Sequence, residues 1–240
     1  MATDASHYFD PYYFGWQAAS AERSARVVAP RILERVTASS VVDVGCGTGP
    51  WLAVLLALGV DEVLGIDGPY VDQSQLRIPR GSFLARDLEE PLGLERRFDL
   101  AISLEVAHYL REERAAAFVQ LLTELAPVVF FSAAIPHQPG GPARNRRWPE
   151  YWARLFAARG FRPWDWLRRE IWNDERVDWW YAQNGVFFVG DSDATSADPD
   201  ERPLLPLVHP KMLDEVVAAG ARSGAVARLV DAARATRRRA

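Results

Sequence analysis

The residues best suited to chemistry begin with three glycines, Gly45, Gly47 and Gly49, in the stretch VVDVGCGTGPWL. They follow a run of β-branched residues that predicts a buried strand, and they precede an apolar segment with helical spacing. Glycine at such a place lets the backbone turn tightly, and it lets a ligand approach the main chain without a Cβ in the way. The start of the following helix adds free N–H groups. The loop therefore predicts a small-molecule site.

Acidic residues at the ends of the predicted strands narrow the choice of ligand. Asp43, just before the loop, would repel a pyrophosphate but suits a cation, and the spacing G-x-G-x-G differs from the G-x-G-x-x-G of dinucleotide binders. Asp67 ends the second predicted strand, where a carboxylate can accept both hydroxyls of a ribose. Asp87 ends the third, where it can contact an adenine edge. Each acid alone also fits a turn or a helix N-cap, but together they line the crevice at which open α/β sheets bind ligands.

Candidates for acid–base chemistry are few, because the chain has only four histidines, His7, His108, His137 and His209. Glu105 and His108 stand three residues apart just past the fourth predicted strand, where they form an oriented base or a contact to a substrate. The alternative is that Glu105 caps a helix and His108 packs. Tyr109 and His137 are further candidates for acid–base or substrate contact. Two ligands without Cys or His partners make a poor metal motif, so no metal is predicted.

These residues need elements that hold them, and strand and helix patterns alternate along the chain. Near-continuous apolar strands separated by helices predict a doubly wound α/β fold with a mainly parallel sheet covered on both faces. The predicted strands are 41–45, 62–67, 82–87, 98–104 and 127–135, and GVFFVG (185–190) is predicted as an antiparallel edge hairpin. The predicted helices are 20–36, kinked or broken at Pro30, then 49–59, 111–125 and 149–159.

The order of these patterns divides the chain into four parts. Residues 1–37 form an N-terminal lid and helix, and 38–190 form the main domain, with an insertion at about 136–182 on the substrate side. Residues 191–203 have the composition of a linker, and 204–240 form a helical extension. The aromatic start, which includes Tyr12, Tyr13 and Trp16, is predicted to fold over the ligand crevice.

Tryptophan is concentrated in one region, because seven of the nine tryptophans lie between Trp148 and Trp180. They either pack a core edge or wall a substrate site, for which Trp148, Trp179 and Trp180 are candidates together with the lid aromatics. The packing interpretation is the commoner one for such a cluster.

Composition sets outer limits on function. The 240 residues are 49% apolar, and no apolar run is long enough to span a membrane. The net charge of −4 disfavours nucleic-acid binding, which needs a concentrated basic face. The start of the chain lacks the pattern of a secretory signal, and the single cysteine, Cys46, excludes an internal disulfide. Cytoplasmic localisation is the expectation. Cys46 lies inside the glycine turn, where we interpret it as packing.

The motifs resemble those of the class I S-adenosylmethionine-dependent methyltransferases. VVDVGCGTG is similar to their first motif, GID to the acid after their second strand, and FDLAISLEVAHYL to their fourth-strand motif. The resemblance covers about residues 20–190 and implies a seven-stranded, mainly parallel, Rossmann-like sheet with a C-terminal antiparallel strand. It implies S-adenosylmethionine as the cofactor, with methionine along the glycine loop, ribose on Asp67 and adenine near Asp87. The implied cofactor-binding set is Asp43, Gly45, Cys46, Gly47, Gly49, Asp67, Gly68, Asp87, Leu88 and Leu104.

A closer likeness is to small bacterial methyltransferases of glycan and natural-product gene clusters. That group carries SLEVAEHL and IPGQGGTGHVNEQWPSYW, where this chain has SLEVAHYL and IPHQPGGPARNRRWPEYW. The scaffold residues match, but the Glu-His pair of the group falls on His108 and Tyr109. Its later His falls on Ala143 and the Glu of NEQ on Arg146. This chain therefore lacks most of the polar set of that group.

The resemblance implies methyl transfer to a hydroxyl or nitrogen of a small molecule that resembles a natural product or a sugar, with His108 as the preferred base. One alternative is C-methylation of an electron-rich ring such as an indole or phenol, which needs less deprotonation. Another is a catalytically silent cofactor-binding scaffold, for which the C-terminal extension offers a partner surface. A homodimer is also possible. A nicotinamide dehydrogenase fits worse, because the glycine spacing differs and no Tyr-x-x-x-Lys pair is present.

Overall fold

A seven-stranded sheet forms the centre of the computed structural model, which describes residues 11–190 and 204–222, with side chains for 17–190 and 204–220. The strands lie in the order β3-β2-β1-β4-β5-β7-β6. They are β1 Ser40–Val44, β2 Glu62–Asp67, β3 Phe83–Ala85, β4 Leu100–Leu104, β5 Val128–Ser132, β6 Phe161–Trp164 and β7 Val186–Gly190. The predicted seven-stranded, mainly parallel, Rossmann-like fold is confirmed, because β1 to β5 pair in parallel and β7 is antiparallel to both β5 and β6.

The pairing register brings the ends of the central strands together. Asp43 of β1 lies beside Gly65 of β2 on one side and Ile102 of β4 on the other. Strand order reverses between β1 and β4, because β2 and β3 lie to one side of β1 and the later strands lie to the other. This reversal opens a crevice at the carboxyl ends of the strands, which is where open α/β sheets bind ligands.

Helices cover both faces of the sheet. They are α1 Pro11–Leu33, α2 Pro50–Ala57, α3 Ala115–Leu125, α4 Pro149–Ala157, α5 Leu167–Ile171, α6 Trp179–Asn184 and α7 Pro210–Arg222. Single 3₁₀ turns occur at Gln73–Gln75, Arg80–Ser82 and Glu112–Arg114. One core holds Ile32, Leu52 and Leu167 against the sheet, and the opposite core holds Phe118 and Phe156. The central strands β1, β4, β5 and β7 are buried on both faces, which explains their apolar runs.

Two elements differ from the sequence expectation. Helix α1 begins at Pro11 and continues through Pro30, whereas the spacing predicted a helix over 20–36. Strand β7 is antiparallel as predicted, but it lies between β5 and β6 and not at an edge. The edge strand is β6, and Pro163 within it explains this, because a proline has no N–H to give to a further neighbour.

The C-terminal helix α7 docks on α6. The indole Nε1 of Trp179 donates to Glu215 at 2.9 Å, and Trp179 packs with the buried side chains of Met212 and Ile135. Behind this contact the guanidinium of Arg168, 1% exposed, pairs with Asp165. The start of the predicted lid (1–10), the predicted linker (191–203) and the end of the extension (223–240) lie outside the described residues.

None of the described helices combines the length and the apolar character that crossing a membrane requires. Across 11–190 and 204–222, no cluster of three or more His, Cys, Asp or Glu side chains has an arrangement that could hold a metal ion.

Candidate functional site

The glycine loop turns tightly between β1 and α2. Gly45, Gly47 and Gly49 have φ angles of 92°, 55° and 83°, a region in which only glycine is unstrained. The N–H of Gly45 donates to the carbonyl of Ile66 at 2.7 Å, which ties the loop to the end of β2. A Cβ on Gly45 would lie 2.2 Å from the side chain of Val106. The sequence thus specifies glycine here for two reasons, the backbone angle and the packing against the loop after β4.

The carboxylate of Asp67 faces this loop from the end of β2. It accepts hydrogen bonds from the N–H of Gly47 at 2.6 Å, from the N–H of Gly68 at 2.6 Å and from the hydroxyl of Tyr70 at 2.8 Å. The ring of Tyr70 lies over Gly68, where a Cβ would come within 2.0 Å of it. Asp67 is therefore held as an acceptor of hydroxyl groups, and one hydroxyl of the chain already occupies it.

Two buried carboxylates give the crevice a strong preference for positive charge. Burial raises the pKa of Asp43 well above its usual value, and the neighbouring charge of Asp67 raises it further. Burial also raises the pKa of Asp67, although the hydrogen bonds from Gly47, Gly68 and Tyr70 oppose the rise. Among the described residues, no basic side chain forms a salt bridge with either acid. A bound cation would therefore lower the electrostatic cost of burying the two negative charges.

Other members of the implied cofactor set lie around the same crevice. Asp87 is exposed and accepts the N–H of Glu89 at 2.9 Å, and its charge acts on the Tyr70 phenol. Leu88 and Leu104 are buried. Burial raises the pKa of the Cys46 thiol, which donates to the carbonyl of Gly47, so this cysteine is a packing residue and not a nucleophile.

The donor and acceptor set around the crevice fits a nucleoside cation such as S-adenosylmethionine. The hydroxyl oxygen of Thr48, a residue of the loop, is buried and has no hydrogen-bond partner among the described residues. Unpaired polar atoms are costly in a folded protein, and a polar ligand in the crevice is what would satisfy them.

Glu105 lies on the other side of the crevice, at the first residue after β4. Its φ is 58°, a strained value for a residue with a side chain, and its N–H donates to the carbonyl and hydroxyl oxygens of Ser132 at 3.0 and 2.9 Å. Its carboxylate accepts from the side-chain amides of Asn184 at 2.9 Å and Gln138 at 2.8 Å. Burial raises the pKa of Glu105, and hydrogen bonds from Asn184, Ser132 and Gln138 partly offset the rise.

His108 has a different environment from the one its spacing predicts. It is 4% exposed, and its Nδ1 accepts the N–H of Ala134 at 3.0 Å. Burial lowers its pKa to about 3, and the charge of Arg146 contributes. A neutral ring with Nδ1 accepting carries its proton on Nε2, so no lone pair is left to remove a proton. Through this contact His108 connects the loop after β4 to the loop after β5.

Tyr109 and His137 are the remaining acid–base candidates. Tyr109 is partly buried with its ring 4.2 Å from that of His108. His137 is exposed with a φ of 67°, in a turn closed by the N–H of Gln138 on the carbonyl of Ile135. Neither has a geometry that singles it out as an acid or base.

The aromatic candidates contact the helices more than the crevice. Trp148 is 41% exposed at the start of α4. Trp179 holds α7 through Glu215, and Trp180 lies against Trp179 with the ring centroids 5.5 Å apart. For Trp179 the packing interpretation therefore fits better than a substrate wall. Tyr12, Tyr13 and Trp16 lie in the first turns of α1, and their side chains are outside the described set.

Two kinds of residue were missed at the sequence level. Tyr70 bonds Asp67 from three residues further along, in the turn DGPY, and a turn that returns toward its own strand end was a usable signal. The amides Asn184 and Gln183 carry no comparable signal, because uncharged polar residues on a short helix have no spacing that indicates a site.

Comparison with known proteins agrees with this geometry. The family model described as "Methyltransferase domain" matches residues 18–181. No curated protein matches. Among solved structures, DesVI of Streptomyces venezuelae is 16% identical with a TM-score of 0.53, covering 79% of this chain and 99% of that one.

Two further structures give the same fold. The methyltransferase domain of a bacterial CtHen1 is 21% identical with a TM-score of 0.51, and the match covers 70% of this chain and 98% of that domain. DhpI in complex with SAH is 16% identical with a TM-score of 0.51, covering 78% of this chain and 92% of that one. The family match spans most of the chain and the seven-stranded sheet agrees with the fold of these structures, so the chain belongs to the methyltransferase-domain family and is a class I S-adenosylmethionine-dependent methyltransferase.

Proposed function

We propose that the protein methylates a hydroxyl or nitrogen of a small-molecule acceptor, with the cofactor along the glycine loop beside Asp67 and the acceptor beside Glu105. The observation that carries this proposal is the placement of Asp67 and Glu105 on opposite sides of one loop. Gly45 bonds the end of β2 that carries Asp67, and it packs against Val106, the neighbour of Glu105. S-Adenosylmethionine supplies a methyl group on a sulfonium, already activated for displacement.

Asp67 would hold the ribose. Its carboxylate accepts a hydroxyl from Tyr70 at 2.8 Å, so a ribose hydroxyl can replace that of Tyr70 without an acceptor being left unpaired. Asp43 and Asp67 would favour the cationic cofactor, because each raised pKa reflects a buried negative charge that lacks a compensating cation. The Thr48 hydroxyl would gain the partner that it lacks in the loop.

Glu105 takes the base role expected of His108. Its carboxylate oxygens each accept one amide hydrogen bond and keep further lone pairs for the proton of an acceptor hydroxyl. Burial raises its pKa toward the range in which a carboxylate is an effective base near neutral pH. The protein otherwise contributes alignment and exclusion of water, which is most of what methyl transfer from a sulfonium needs.

The proposal is tested by calorimetric titration with S-adenosylhomocysteine. Asp67→Asn should weaken binding by about 1.5–3 kcal/mol, roughly ten- to a hundredfold, because it removes charge-assisted hydrogen bonds to the ribose. Asp61→Asn is the matched control, since Asp61 is exposed just before the start of β2, at the other end of the strand. The control should bind like the wild type. Absence of binding in the wild type, or an equal loss in both variants, would remove the cofactor site from the place proposed.

A further inference from the structure

A line of buried side-chain amides connects Glu105 to the beginning of α7. The N–H of His209 donates to Oε1 of Gln183 at 2.8 Å. The amide nitrogen of Gln183 donates to Oε1 of Gln138 at 3.2 Å and to Oδ1 of Asn184 at 3.0 Å. The amide nitrogens of Gln138 and Asn184 then donate to the two carboxylate oxygens of Glu105 at 2.8 and 2.9 Å. Gln138, Gln183 and Asn184 are all buried.

The orientation of Gln183 follows from its main-chain donor. A backbone N–H can only donate, so the N–H of His209 requires the oxygen of Gln183 to face it. The nitrogen of Gln183 must then face the oxygens of Gln138 and Asn184, whose nitrogens face the carboxylate of Glu105. Oε1 of Gln138 also accepts from the N–H of Ile135 at 3.4 Å and from the amide nitrogen of Asn184 at 2.9 Å. The C-terminal segment therefore sets the orientation of Gln183 and, together with these donors and the carboxylate, supports those of Gln138 and Asn184.

We propose that Gln183 is a positioning residue of the acceptor site, and that docking of the segment 204–222 sets its orientation and thereby stabilises the amides that hold Glu105. This inference rests on the proposed placement of Glu105 at the acceptor. It makes the C-terminal extension part of the catalytic apparatus, although α7 itself lies outside the sheet.

The segment is held firmly at the point where the line begins. The ring Nε2 of His209 lies 2.9 Å from the carbonyl of Trp172, and His209 is 7% exposed. Arg168 joins the two ends of the contact through its Nη1, which donates to the carbonyls of Gln183 at 3.2 Å and Leu205 at 3.1 Å. The main chain of α6 and the main chain leading to α7 are thus fixed to the same guanidinium. The N–H of His209 is therefore held against Gln183.

The pKa of Glu105 depends on how the amides of this line are oriented. Two amide donors oppose the rise in its pKa that burial causes. If Gln183 turns over, its nitrogen no longer donates to Gln138 and Asn184, these two amides hold the carboxylate less firmly, and its pKa should rise further. The charge of Glu105 acts on the phenol of Tyr181 on α6, whose pKa is raised first of all by burial, so this phenol remains neutral while Glu105 titrates.

The experiment compares His209→Pro with His209→Ala in the full chain. Both variants lose the ring contacts to Trp172 and Lys211, but only proline removes the N–H that starts the line. The pKa of Glu105 is read from a carbon-13 NMR titration of glutamate-labelled protein, in which Glu105→Gln assigns the signal. Thermal unfolding measures the loss of stability in each variant.

His209→Pro should shift the Glu105 titration to higher pH, while His209→Ala should leave it at the wild-type position. Gln183→Met, which keeps the length of the side chain without its polar atoms, should give the same shift and serves if the proline variant does not fold. An unchanged titration in Gln183→Met, or equal shifts in His209→Pro and His209→Ala, would overturn the proposal. Because the titration uses neither cofactor nor acceptor, its outcome is separate from that of S-adenosylhomocysteine binding.

Discussion

The carboxylate of Glu105 is the group on which the nature of the acceptor depends. It projects from a left-handed backbone position, with φ of 58°, directly after a strand that is buried along its whole length. Such a conformation costs on the order of 1–3 kcal/mol and persists only where the surroundings enforce it. Here Ser132 holds its N–H, and Gln138 and Asn184 hold its carboxylate. The strain fixes the direction in which the carboxylate points.

Replacing Glu105 with Gln keeps this shape and removes the base. For hydroxyl acceptors, turnover should fall by about 10²–10⁴-fold, while S-adenosylhomocysteine binding should be unchanged. The pKa of Glu105 is raised, so wild-type turnover should increase as pH rises through that pKa. The turnover of the variant should not show this increase. Transfer of a labelled methyl group to a panel of hydroxyl and amine acceptors measures both effects. Glu113→Gln, at an exposed position, is the control. A variant that methylates hydroxyls at the wild-type rate would exclude Glu105 as the base.

Sequence reasoning reached individual residues when spacing fixed the geometry. Asp67 could be predicted because a residue that ends a parallel strand has its position set by the sheet. The environment of His108 could not be predicted from the sequence, because it depends on which atom bonds its Nδ1. That atom is the N–H of Ala134, which is 26 residues away in another loop. A local Glu-x-x-His pattern contains no information about that contact.

At the scale of elements, the order of β6 and β7 in the sheet could have been predicted from their residues. All five residues of β7 are buried, which is typical of a strand with neighbours on both sides. Strand β6 contains Pro163 and includes partly exposed residues, which is typical of an edge. The two patterns together would have placed β6 outermost. The extent of α1 was missed for another reason: its first turns are aromatic, and no periodicity separates them from a loop.

Two glycines allow the cost of backbone strain to be measured separately from the cost of steric overlap. Gly45 and Gly59 have nearly equal φ angles of 92° and 97°, but a Cβ on Gly45 meets Val106 at 2.2 Å while a Cβ on Gly59 meets nothing within 4 Å. Gly59→Ala should cost only the conformational strain, roughly 1–2 kcal/mol of unfolding free energy. Gly45→Ala should cost more and should abolish cofactor binding. Urea denaturation measures both. Adding Val106→Ala should recover part of the loss at Gly45 alone, and equal losses at the two glycines would contradict the contact.

At the scale of the whole molecule, the candidate acceptor site depends on residues from distant parts of the chain. Glu105 follows β4, Gln138 follows β5, Gln183 and Asn184 end α6, and His209 precedes α7. The sequence predicted the sheet that brings the first two together, because alternating strands and helices determine it. It did not predict the amide line, since this requires α6 and the C-terminal segment to dock in one register, which is a result of tertiary packing.

Two aspartates should give the folded protein opposite responses to pH. The pKa of Asp43 is raised by burial and by Asp67, so the folded state binds its proton more tightly than the unfolded state does. Stability associated with Asp43 therefore falls as pH rises above the usual carboxyl range. For Asp99, burial alone would raise the pKa, but hydrogen bonds from Ser39 and Ser40 outweigh it and hold the pKa below its usual value. Stability from Asp99 is present above the unfolded pKa and is lost as pH falls through the folded one.

Asp43→Asn should consequently raise the melting temperature at neutral pH and have little effect in the acid range, whereas Asp99→Asn should lower it at neutral pH. Thermal unfolding between pH 4 and pH 8 measures the two slopes. The same Asp43→Asn variant should lose affinity for S-adenosylmethionine more than for S-adenosylhomocysteine, because only the former carries a sulfonium charge for the carboxylate to attract. A variant that is more stable yet discriminates less between the two ligands would mean that the buried charge is retained for binding at a cost in stability. Equal loss of affinity for both would mean that Asp43 shapes the loop and does not recognise the charge.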